Sequence, residues 1–171
     1  MKVIQDLHQF GDELRTPQPA PDHEWDGQQW VSNPLKLAAL EQQEAESLCS
    51  RVDAVADSAR SVLAGDPLKA LEYAQAAIDA QAYQDAGYPK KDVPLSVAAW
   101  VAKGRSAKQS AEQILDKAAQ LSENLLTLRT VRLKAKTQIR AYASKSQMDQ
   151  ARAAADEALQ AIRELVAPPA P

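Results

Sequence analysis

Cysteine is nearly missing from this chain. Cys49 is the only one among 171 residues, so no internal disulfide can form and a reducing compartment is expected. Phenylalanine occurs once, and aromatics make up 5% of the chain. With so few large rings, the 45% hydrophobic content, supplied largely by alanine, predicts thin helix-to-helix contacts rather than a thick globular core. Five glycines leave few positions for sharp turns, which suits long helices. No run approaches the ~20 apolar residues needed to cross a bilayer. Met1 to Phe10 has no long apolar stretch and carries Asp6 and His8, unlike a signal peptide. A soluble, cytoplasmic protein without membrane contact is therefore expected.

Catalytic constellations are equally sparse. Two histidines, His8 and His23, and one cysteine give no zinc-ligand spacing. His23 and Glu24, with Asp22 and Asp26 nearby, read as the polar surface of a turn. No Gly-rich phosphate loop and no Gly-x-Ser-x-Gly motif is present. Cys49 lies in a run with Glu41, Glu44, Glu46 and Asp53, the wrong setting for an activated thiolate, and reads as a small apolar residue. No catalytic residue, no metal and no cofactor is expected.

What is present begins at the N-terminus. Thr16-Pro17-Gln18-Pro19-Ala20-Pro21 reads as an extended, polyproline-like linker. It leads into His23-Glu24-Trp25-Asp26-Gly27-Gln28-Gln29-Trp30-Val31. Asp26-Gly27 between strand-forming residues signals a two-residue hairpin turn. That turn would pair Trp25 with Gln28 and His23 with Trp30, placing both indoles on one face, diagonally across the ribbon. Two large rings on so small a unit need a surface to pack against, either the helical body or a partner.

Helical signals follow. Asn33-Pro34 opens a helix that stops at Gly65-Asp66-Pro67, with a seam of Ala45, Leu48, Val52, Val55, Ala59 and Val62 spaced 3, 4, 3, 4, 3. A second helix starts at the Asp66 cap, carries Leu68, Leu71, Ile78 and Ala82, and ends near Gly87. A short third spans about residues 95–103. The fourth opens on a Ser106/Gln109 capping box. Its seam runs Ile114, Ala118, Leu121, Leu125, Leu128, Arg132, Ala135, Ile139, Tyr142. From Arg105 to Ala167 there is no proline or glycine, so either one helix of roughly 60 residues runs through or, the favoured reading, it breaks near Ser144-Lys145-Ser146, with Ser146 as cap to a fifth helix carrying Met148, Ala155, Leu159, Ile162 and Val166. The expected fold is mainly α: a small N-terminal arm with a β-hairpin (1–33), four to five antiparallel helices with heptad-like seams (34–166), and a Pro-rich tail (167–171).

Charge is unevenly distributed. The net charge is −3 overall, yet residues 1–33 carry two basic and six acidic side chains, whereas 105–145 carry nine basic and three acidic. No acidic residue lies between Asn124 and Met148, while Arg129, Arg132, Lys134, Lys136, Arg140 and Lys145 all do. This field reads as a solvated face or as a surface for an acidic protein segment. A nucleic-acid binder would add stacking aromatics, and Tyr142, on the seam, is the only one here. Arg132 interrupts the seam and, if buried, requires a carboxylate.

The Pro-rich segment, Trp25-Asp26-Gly27-x-x-Trp30-Val31 and the Ala/Glu/Gln-rich helix after them resemble the tail fibre assembly proteins of tailed bacteriophages and of R-type pyocins, headless phage-tail particles. A second block, Ala86-Gly87-Tyr88-Pro89 with Asp92-Val93-Pro94-Leu95-Ser96-Val97-Ala98-Ala99-Trp100, is similar to helical regions of phage tail-associated proteins. The resemblance covers residues 17–42 and, more loosely, 70–140. It implies a non-enzymatic intracellular chaperone that helps the C-terminal part of a tail fibre protein fold and trimerise and that is absent from the mature particle. On that reading Trp25, Asp26, Gly27, Trp30, Arg129, Arg132, Lys134, Lys136 and Arg140 are the candidate partner-binding residues, and the helical seams could serve self-association. A structural coiled-coil component of a tail particle and a helical nucleic-acid binder are the alternative readings.

Overall fold

Asn33 joins the two parts of the molecule. In the computed structural model, which describes residues 8–10, 13–102 and 104–167, its side-chain oxygen accepts from the backbone N–H groups of Leu35 and Lys36 and so caps the first helix. Its side-chain amide donates to Glu24 at 2.8 Å, and its backbone N–H donates to the Asp22 carbonyl. One residue thus starts the helix and ties the preceding hairpin to it.

Two antiparallel hairpins precede it. β1 (His8–Phe10) pairs with β2 (Glu13–Arg15), a hairpin for which the sequence carries no turn signal as strong as Asp26-Gly27. The readings of residues 1–7 and of the tail at 168–171 lie outside the described residues. β3 (His23–Trp25) pairs with β4 (Trp30–Ser32).

Among the described residues five helices follow: α1 (Pro34–Ala64), α2 (Pro67–Asp85), α3 (Leu95–Ala98), α4 (Ala107–Ala143) and α5 (Met148–Val166). The caps behave as their chemistry predicts. Asp66 accepts from the backbone of Leu68 and Lys69, and Ser106 and Gln109 form a reciprocal capping box. Gly65 closes α1 at φ +64°, a conformation other residues rarely adopt. α3 is a single turn rather than a helix reaching residue 103. The break before α5 falls where expected, but Gln147 stands at the cap position, and Ser146 instead sits at φ +54° with its hydroxyl donating to Glu41.

Two buried clusters divide the helical body. The first joins α1, the C-terminal half of α4 and α5, with Ala45, Cys49, Val52, Ala56, Leu128, Ile139, Ala155 and Ile162 at its centre. Paired residues fix the directions. Glu41, Glu46 and Asp53 of α1 meet Ser146, Arg140 and Arg132 in reverse order, so α1 and α4 run antiparallel. Glu44 and Arg51 meet Arg152 and Asp156 in the same order, so α1 and α5 run parallel. The second cluster holds Ala80 and Tyr83 of α2, Val97 of α3 and Ala111 of α4. α4, 37 residues and on the order of 55 Å long, is the spine common to both.

Two seams depart from the expected register. Val62 is exposed and Leu63 is partly buried in its place, because an α-helix repeats every 3.6 residues and drifts off a strict 3.5-residue seam. On α2 the large apolar residues Leu68, Leu71 and Ile78 point to solvent, and alanines with Tyr83 make the contact to α4. Ala80 and Tyr83 lie on the opposite side of the helix from Leu71 and Ile78, and small residues allow the closer approach to the α4 backbone.

Candidate functional site

The Trp hairpin differs from its expected register. Trp25 stands directly across from Trp30, Glu24 from Val31 and His23 from Ser32. The turn is therefore centred one residue later, with Gly27 and Gln28 at its apex. Asp26 explains the shift. Its carboxylate accepts from the backbone N–H groups of Gln28 and Gln29, both at 2.8 Å, and its own N–H donates to the Gln29 carbonyl. This side-chain turn occupies position 26, and Gly27 takes the positive φ, +107°. The backbone donors of Gln29 and Gln28 hold the Asp26 carboxyl below the usual carboxylate range.

The two indoles share one face, as period-2 alternation requires, and meet edge to face with centroids 5.6 Å apart and planes at 70°. The Arg15 guanidinium lies 5.1 Å from the Trp25 ring centroid. Trp30 Nε1 donates to the Thr16 carbonyl at 2.7 Å, and Gln18 donates to the His23 carbonyl at 2.7 Å. The Pro-rich segment is thus no free spacer; it folds back and is laced to the hairpin it precedes. Beneath the ribbon, buried Asp22 accepts from the Ser32 hydroxyl at 2.5 Å and faces His23 Nδ1 at 3.2 Å. Both helical clusters begin C-terminal to this unit, and neither includes Trp25 or Trp30. The pair packs against its own arm, half-buried, rather than into the core beside α1.

The basic run resolves into two sets. Arg132 donates to Asp53 at 2.5 Å, and Lys136 donates to the other oxygen of the same carboxylate. Arg140 grips both oxygens of Glu46 at 2.9 Å. These three candidate partner-binding cations are therefore engaged within the fold, and their acidic neighbours sit on α1, not in the N-terminal arm. Sequence distance hid the match, since the pairs lie 79 to 94 residues apart. Burial pushes the Asp53 carboxyl up, but hydrogen bonds and charge from Arg132 and Lys136 outweigh it and leave it lowered. Arg140 likewise lowers Glu46. Arg129 and Lys134 form the second set. They are exposed on the outer face of α4 and make no ion pair among the described residues.

A further feature escaped sequence reasoning. α2, α3 and α4 enclose an open groove of about 600 Å³ walled by Tyr73, Ala76, Trp100, Ile114, Ala118 and Leu121. Trp100 Nε1 donates to Gln113, and Lys117 Nζ lies 4.8 Å from the Trp100 ring centroid. The signal available in the sequence was an α2 rich in alanine facing an α4 with small residues at 118 and 119, which leaves space between the two helices. Cys49 is buried, and desolvation raises its thiol above the ordinary value. Among the described residues no group of acidic, His or Cys side chains could hold a metal ion, and no helix is long and apolar enough to cross a membrane. The chain matches no protein-family model, no curated protein and no solved structure.

Proposed function

We propose that this chain is a non-enzymatic assembly chaperone for a phage-type tail fibre protein. The observation that carries the reading is the Trp25–Trp30 pair, set edge to face on a braced hairpin that belongs to neither helical core. Indole is enriched where partners bind most tightly, because it offers a large apolar area with few rotatable bonds. The resemblance of residues 17–42 to tail fibre assembly proteins supplies the client. A fibre trimer exposes strand edges and apolar faces before its chains interlock, and such surfaces aggregate. The hairpin and the groove beside Trp100 would cover them until three chains meet. Release follows if the incompletely assembled client is bound more tightly than the finished trimer, since only differential affinity shifts a population. The pairing of Arg132, Lys136 and Arg140 with α1 carboxylates reduces the cationic surface open to nucleic acid and weakens that alternative.

The test is co-expression with a phage-type tail fibre protein, followed by pull-down and measurement of soluble trimer. Trimer yield should fall without this chain and with Trp25→Ala/Trp30→Ala. Equal yields in all three cases would overturn the proposal. Recovery of the chain in purified particles at fixed stoichiometry would instead support a structural component.

A further inference from the structure

α2 carries a heptad seam that stays exposed among the described residues. Leu68, Leu71, Gln75, Ile78 and Ala82 follow one another at spacings of 3, 4, 3 and 4. Leu68 is 71% exposed, Leu71 69% and Ile78 64%. A stripe of this period fits another α-helix, because alternating three- and four-residue steps present knobs along one line. The second half of α4 carries a matching stripe on its outer face: Leu126, Thr130, Leu133 and Thr137, at spacings of 4, 3 and 4. Leu126 is 64% exposed and Leu133 45%. The Thr130 and Thr137 hydroxyls donate to the Leu126 and Leu133 carbonyls at 2.9 and 3.0 Å. Their polar groups are satisfied within the helix, so the stripe behaves as apolar.

The flanks decide which surfaces fit. Between Ala70 and Asp85, α2 has no cation, and Glu72, Asp79 and Asp85 border its stripe. From Asn124 to Met148, α4 has no acid, and exposed Arg129 and Lys134 border its stripe. Two α2 stripes would oppose acid to acid, and two α4 stripes cation to cation. Only the unlike pairing joins opposite charges along an apolar line. The stripes also agree in length, at roughly 20 Å for α2 and roughly 16 Å for α4.

We propose that copies of this chain associate head to tail, the outer stripe of α2 on one copy seating on the outer stripe of α4 on the next. The contact joins unlike faces, so every open assembly keeps one free α2 stripe and one free α4 stripe, and it extends as a chain or closes as a ring. About three helical turns make a small interface, so association is weak, reversible and sensitive to salt. It goes beyond the chaperone reading and stands independently of it, because it concerns this protein alone.

The experiment is sedimentation velocity without client, from about 10 µM to about 500 µM, where so small a contact is expected to titrate. Two charge-reversed variants are compared, both at exposed positions. Glu72→Lys/Asp85→Lys leaves the Asp79–Ser96 hydrogen bond intact, and Arg129→Glu/Lys134→Glu breaks no ion pair among the described residues. Circular dichroism checks that each is folded. Wild type should gain average mass with concentration, and each variant alone should remain monomeric. An equimolar mixture of the two should regain association, because the reversed α2 of one meets the reversed α4 of the other. Monomeric wild type at every concentration overturns the proposal. So does a mixture that stays monomeric, or an α4 variant that associates as well as wild type, which would place α2 against α2.

Discussion

Asp53 of α1 and Arg132 of α4 meet across the helical seam at 2.5 Å, and Lys136 takes the second oxygen of the same carboxylate. One acidic residue therefore satisfies the arginine that interrupts the α4 seam and the lysine one turn later. Asp53→Ala should leave both cations without their partner but still able to reach water, as neither is fully buried. We expect a loss of about 1–3 kcal/mol, less than for a fully enclosed ion pair. Urea unfolding followed by circular dichroism checks it. An unchanged midpoint would mean that the pair is only a surface contact.

The same carboxylates set the acid limit. Glu44 and Glu46 are lowered by hydrogen bonds from Arg152 and Arg140; for Asp53, Arg132 and Lys136 overcome the opposing effect of burial. Each folded value lies below the unfolded one. Their contribution is therefore complete above about pH 4–5 and is lost as pH falls through the folded values. Stability should be nearly flat from about pH 5 to pH 7 and fall below about pH 4. Asp53→Asn should make the acid limb shallower; an unaltered limb would remove Asp53 from it.

Cys49 should resist thiol reagents in the folded protein. It is buried, its sulfur faces the Lys136 carbonyl, and desolvation raises its pKa. Reaction with a disulfide reagent at neutral pH should be slow in buffer and complete within minutes in denaturant, since only the thiolate attacks. Equal rates in both would show the thiol to be accessible. Cys49→Ala should cost on the order of 1 kcal/mol as a small-cavity substitution.

Local chemistry was the legible part of the sequence. Caps at Asn33, Asp66 and Ser106, the stop at Gly65 and the break before Met148 each depend on residues a few positions apart. The buried face of α5 was equally clear, because one continuous stripe faces one pair of helices. Long-range choices were not. Nothing within α2 says whether Leu71 or Ala80 faces α4, since both sides of the helix are apolar and the answer depends on how closely α4 approaches. The partners of Arg132 and Arg140 lie on α1, and only the antiparallel register of α1 and α4 brings them together. At the hairpin, Asp-Gly drew the turn to positions 26 and 27. The Asp26 side chain, by capping Gln28 and Gln29, moved it one residue along and changed the Trp pair from diagonal to directly opposed.

That directly opposed pair gives the last prediction. Trp25, Trp30, Arg15 and Thr16 brace one another within the N-terminal arm, while the helical clusters begin at Ala45. Trp25→Ala/Trp30→Ala should therefore leave the helical circular dichroism and the main unfolding transition nearly unchanged. It should remove the contribution of the ordered indole pair to the near-ultraviolet circular dichroism. Gly27→Ala should act more gently through the turn, because φ of +107° strains an alanine by roughly 1 kcal/mol even with open space around it. The near-ultraviolet contribution of the pair should weaken rather than vanish. If the double variant lowers the helical unfolding midpoint by as much as Asp53→Ala does, the hairpin is part of the structural core, and its tryptophans are not available for a client.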